Sequence, residues 1–247
     1  MVLLQIIVAT VLVSLFSLIG VLLFPIGKDK LNRFLFLIIS FSTGTLLGAA
    51  FFDLLPEAID GSTAALALDA AFVGILFTFC VEKLIHWHHH HAGGVKEHHK
   101  PLGTLTIIGD GIHNFFDGVA IAASFMVSAP LGIATTIAIA LHEIPQEIGD
   151  FGMLLYSGYS RTKALLFNFL SALTAIVGAL LFYYFSSYVH GIEALALGFT
   201  AGMFIYIASA DLLPELHKNK ETHESLLQLF LILLGAAIIW LIASGMA

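Results

Sequence analysis

Residues 41–57 read FSTGTLLGAAFFDLLPE, and residues 199–215 read FTAGMFIYIASADLLPE. The two stretches agree at eight of 17 positions, including the whole of DLLPE. Pro-Glu closes many helices, but five consecutive identities favour a true internal repeat. Both copies lie in apolar runs long enough to cross a bilayer. Whether they cross it in the same or opposite directions decides the architecture.

The direction follows from counting the runs. Apolar segments of about 20 residues fall at 3–24, 34–55, 63–86, 104–127, 131–156, 164–188, 193–213 and 225–245. The basic residues check the count. Lys28, Lys30 and Arg33 follow span one, and Lys83, Lys96 and Lys100 lie at and beyond the end of span three. Arg161 and Lys163 follow span five, and Lys218 and Lys220 follow span seven, which accounts for all 10 Lys and Arg. The alternate connections carry none. The positive-inside rule then puts four basic loops in the cytoplasm and both termini outside. The two copies, in spans two and seven, are five spans apart and therefore antiparallel. The expected fold is an all-α membrane protein of eight transmembrane helices, with spans 1–3 and 6–8 as an inverted repeat around central spans 4–5. It forms a single transmembrane transporter domain over 1–247, with a His-rich cytoplasmic loop at 87–103. Inverted repeats typify secondary transporters, whose halves alternate access to a midplane site. Asp53 is expected near the outer mouth and Asp211 near the inner one.

Composition agrees with this class. Hydrophobic residues make up 59% of the chain and charged residues 11%, with mean hydropathy +0.97; a soluble domain carries roughly a quarter charged residues. The lone Cys80 excludes an intramolecular disulfide and a multi-cysteine metal site. Residues 1–27 are uncharged and lack a basic n-region, so they read as a retained span rather than a signal peptide. The short loops and the lack of a targeting segment suggest a multi-pass protein of the cell membrane. No nucleic-acid partner and no cofactor are expected.

The chemistry lies at mid-membrane depth. Span four contains GDGIHNFFDG, residues 109–118, and span five contains HEIPQEIGD, residues 142–150. Asp110, His113 and Asp117 share one helical face with Asn114 beside them, and His142, Glu143, Gln146, Glu147 and Asp150 fall in one sector. A very short connection makes the two spans antiparallel neighbours, and their polar faces turn toward each other because lipid is the worse alternative. Pro145 removes a backbone donor and frees the carbonyl of Leu141. No Lys or Arg lies within these spans to balance the acids, so metal ions or protons must. Imidazole and carboxylate suit Zn²⁺, Fe²⁺ or Mn²⁺, and the absence of thiolate and thioether ligands argues against Cu⁺. A histidine tract, HWHHHH at 86–91 with HH at 98–99, reads as metal capture in the loop after span three.

At HNFFDG and HEIPQEIGDF the chain resembles the ZIP (Zrt/Irt-like) family of divalent metal transporters, and within it the subfamily with His-Glu-x-Pro-His-Glu in the fifth span. The resemblance covers essentially the whole chain. It implies uptake of Zn²⁺ or related ions toward the cytoplasm by a homodimer in the lipid bilayer, with the ion as cargo. It carries the family's ligands onto His113, Asn114 and Asp117 of span four and His142 and Glu143 of span five. Gln146 stands where the motif has its second histidine, and Glu147 follows it; both join the candidate metal site. Where some members have a further carboxylate in span six, residues 173–178 are LTAIVG. The rival expectation is an intramembrane zinc-dependent hydrolase, because HEIPQ nearly spells H-E-x-x-H. That motif needs a second histidine ligand on an unbroken helix.

Overall fold

In hydrocarbon a spanning segment must satisfy its own backbone, and the helix is the open-chain solution. The computed structural model follows that rule throughout the residues it describes, 1–19, 28–91, 100–189, 191–217 and 222–244, where no strand occurs. Among them eight helical rods are present. α1 is Val2–Ser14, tightening into a 3₁₀ turn at Leu15–Leu18. α2 runs through Lys28–Ala49, a π turn at Ala50–Leu54, and Leu55–Asp60. α3 is Ala64–His91, α4 Lys100–Val127 and α5 Ala129–Tyr156. α6 joins Arg161–Ala172 to Thr174–Phe185. α7 runs through Ile192–Tyr206, a π turn at Ile207–Leu212, and Leu213–Leu216, and α8 is Thr222–Ser244. Five of the rods, α2, α3, α6, α7 and α8, hold stretches long and apolar enough to cross a membrane. α4 and α5 are as long, at 28 residues each, but carry the polar faces. The chain is an all-α membrane protein.

The helices overrun the apolar runs at several ends. α3 continues through His91, so the first histidine tract is helical, while residues 92–99 lie outside the described residues. α4 and α5 are joined by Ser128 alone, in extended backbone, whose side chain accepts from the Leu131 amide to cap α5. Pro145 does not break α5, which remains helical to Tyr156.

The repeat is visible in three dimensions. Pro56 and Pro214 lack an amide donor and crowd the carbonyls of Phe52 and Ala210. In both copies the preceding turn widens to a π turn, at equivalent positions of the repeat, and the helix then resumes. Packing repeats as well. A Cβ on Gly44 would lie 2.0 Å from the Ile232 carbonyl oxygen, and one on Gly235 would lie 2.4 Å from that of Phe41, so α2 and α8 meet backbone to backbone. The equivalents in α7 and α3 are Gly202 against the Ala71 carbonyl at 1.9 Å and Gly74 against that of Phe199 at 2.1 Å. Phe41 and Gly44 match Phe199 and Gly202 in the aligned copies. The correspondence therefore extends beyond the DLLPE segments to α3 and α8. α4 packs on α6 by the same device, with Gly118 against Ala175 and Gly178 against Phe115. Small residues at such crossings let helices approach closely in a membrane.

Candidate metal site

Four candidate ligands converge where α4 and α5 cross. His113 Nε2 and His142 Nε2 are 3.1 Å apart. Each lies 3.5 Å from Asp117 Oδ2 and 3.5 Å from Glu143 Oε1. One ligand atom from each of the four residues can be chosen so that all lie within 4.8 Å of one another. Four ligands at about 2.0–2.2 Å from a tetrahedral Zn²⁺ would stand about 3.3–3.6 Å apart; the four imidazole–carboxylate distances fall in that range, and the imidazole pair is slightly closer. The site is nearly dry: Asp117, His142 and Glu143 are each 1% exposed.

The hydrogen bonding leaves the centre unsatisfied. His142 Nδ1 lies 3.2 Å from the Ala138 carbonyl, so the Nδ1 proton is donated there and the Nε2 lone pair is left for the cluster. Neither oxygen of Asp117 and neither oxygen of Glu143 has a hydrogen-bond partner among the described residues. Two buried carboxylates facing two imidazoles call for a proton or a cation between them.

The other expected ligands sit around this cluster. Asn114 turns its amide to Asp110, donating to Oδ1 at 2.8 Å and to the carbonyl at 3.2 Å, and its own Oδ1 is buried without a hydrogen-bond partner among the described residues. Glu147, one turn beyond Glu143, accepts from Asn168 Nδ2 through Oε2, and its Oε1 has no hydrogen-bond partner among the described residues. Gln146 lines a cavity of about 530 Å³ that begins at His113 and His142. Asp150, Asp211 and Glu215 line the same cavity nearer the end of the bundle that carries the basic connections.

Sequence reasoning missed the share of α6. Ser171 Oγ donates to Asp110 Oδ2, and Asn168 Nδ2 also reaches the Ser17 carbonyl of α1 at 3.3 Å. The span-six segment singled out earlier, residues 173–178, lies just beyond these two. The available signal was a pair of polar residues three apart in the apolar run ALLFNFLSAL, residues 164–173, where a buried polar group requires a partner.

A profile of the family described as ZIP Zinc transporter matches residues 2–105 and 96–243. The chain belongs to the ZIP family. Among similar proteins, Zinc transporter ZIP10 of Danio rerio is 42% identical over 149 residues, covering 58% of this chain and 18% of that protein. Zinc transporter zipt-7.2 of Caenorhabditis elegans is 41% identical over 152 residues, covering 58% of this chain and 32% of its own. Zinc transporter ZIP13 of Pongo abelii is 35% identical over 218 residues, covering 81% of this chain and 64% of its own. The chain thus spans between about a fifth and two thirds of these relatives.

Proposed function

We propose that the chain carries divalent metal ions, Zn²⁺ foremost and Fe²⁺ or Mn²⁺ beside it, into the cytoplasm through the cluster of His113, Asp117, His142 and Glu143. Asn114 and Glu147 serve the same ion from around the cluster, and Gln146 from the cavity. The observation that carries the reading is the pair of imidazoles 3.1 Å apart, each 3.5 Å from two carboxylates whose oxygens have no hydrogen-bond partner among the described residues. Membership in a zinc transporter family supports it. In this reading the cavity under the cluster leads to the cytoplasm, because it lies at the end bearing the basic loops. Both termini are outside, in the cell membrane, and the family resemblance supplies a homodimer.

The hydrolase reading has less behind it. A zinc protease holds the Glu of its motif off the metal as a base, whereas Glu143 Oε1 stands 3.5 Å from both imidazole nitrogens, as a ligand would. The deciding experiment is Zn²⁺ uptake into proteoliposomes. Wild type is expected to transport, and His113→Ala and His142→Ala are each expected to lose most of the flux while still inserting and folding. Wild-type flux in either single mutant would remove that residue from the pathway.

A further inference from the structure

The inverted repeat pairs residues at opposite ends of the bundle. The cavity beneath the cluster is lined by Ile39, Asp211 and Glu215. In the register of the aligned copies, continued two residues before them for Ile39, their counterparts are Leu197, Asp53 and Glu57. Two of these, Leu197 and Glu57, line a separate hollow of about 410 Å³ at the other end, together with Asp60 and Glu193. None of the four cluster residues borders that hollow. Leu54 and Leu197, both 0% exposed, are packed on this side. The third counterpart, Asp53, sits one turn beneath Glu57 in the π turn. It is 8% exposed, and its Oδ2 has no hydrogen-bond partner among the described residues.

A bare carboxylate oxygen in a dry position is costly unless another state of the molecule supplies water or a cation. In a transporter built as an inverted repeat, the two halves exchange roles when access reverses. We infer that the hollow at Glu57, Asp60 and Glu193 is the outward counterpart of the cavity, separated from the cluster in this state, and that Asp53 is the carboxylate on which an incoming divalent cation loads when the two connect. Asp211 is its counterpart for release. Glu57 and Glu193 at the rim draw the cation in. The assignment rests on the transport reading and adds the place of capture.

Zn²⁺ flux into right-side-out and inside-out membrane vesicles tests it. Asp53→Asn is expected to raise the apparent KM by roughly tenfold or more in right-side-out vesicles and to leave it within about twofold in inside-out vesicles. Asp211→Asn should show the reverse pattern. Equal changes in both orientations, or none, would overturn the assignment. Labelling covers the case in which Asp53→Asn folds poorly. With Cys80→Ser as background, Asp53→Cys should react with a membrane-impermeant thiol reagent added outside, and Zn²⁺ should slow that reaction. No outside labelling, or labelling indifferent to Zn²⁺, would also overturn it. Wild-type protein that carries no Zn²⁺ in either vesicle would instead sink the transport reading, and labelling would still decide whether Asp53 meets cation from outside.

Discussion

Gln146 lines the cavity beside His142, at the position where the related motif has histidine. An amide oxygen is a weaker ligand for Zn²⁺ than imidazole and brings no charge. Gln146→His is expected to lower the apparent KM for Zn²⁺ and sharpen preference over Mn²⁺, with the maximal rate unchanged or lower. Paired Zn²⁺ and Mn²⁺ titrations check this, and identical values for both proteins would mean that Gln146 does not touch the ion. Asn168 calls for a different expectation. It holds Glu147 in place from α6, and groups that orient ligands typically govern 10–100-fold in metal affinity. Asn168→Leu should weaken Zn²⁺ affinity by about that range in equilibrium binding to purified protein, while Asn168→Ser retains part of it. Unchanged affinity in Asn168→Leu would remove α6 from the site. The four clustered residues were legible because His113 and Asp117 share one helical face of their span and His142 and Glu143 fall within the polar sector of theirs. Asn168 and Ser171 were not, since their partners lie on other helices and no periodicity announces them.

The π turns of α2 and α7 tie a sequence repeat to a backbone irregularity. Pro56 and Pro214 widen the preceding turn, and in both copies an aspartate sits within it. The glycine crossings make the equivalence testable. Gly44→Val and Gly202→Val would each drive a side chain into a facing carbonyl, at Ile232 and Ala71 respectively. Overpacking of this kind costs about 1–3 kcal/mol, and two equivalent crossings should lose similar amounts in thermal unfolding of detergent-solubilised protein. A clear loss at one and none at the other would break the correspondence between the α2–α8 and α7–α3 pairs. Element ends were less legible than element number. Apolar runs mark what hydrocarbon requires, and helices continue past it for as long as caps and loops allow, as α3 does through His91.

At the scale of the molecule, the cavity on the side of the basic connections reaches the cluster, and the hollow at the other end does not. The histidine tract begins on the part of α3 that runs past its apolar stretch Ala64–Lys83. Replacing His88 to His91 with serine is therefore expected to leave uptake at saturating Zn²⁺ within about twofold, since distant sites act independently. Loss of uptake at saturating metal, with normal membrane expression, would place the tract in the pathway. By itself the sequence determined the number of helices, the antiparallel repeat and the two helices that bear the candidate ligands. These are one-dimensional properties, because burial in lipid and helical periodicity are written along the chain. Only the tertiary structure decided which four side chains come together, that α6 supplies Asn168 and Ser171, and which hollow reaches the cluster. Those depend on the rotation of each helix about its axis and on how closely glycine lets two backbones approach, and no spacing within a single span encodes either.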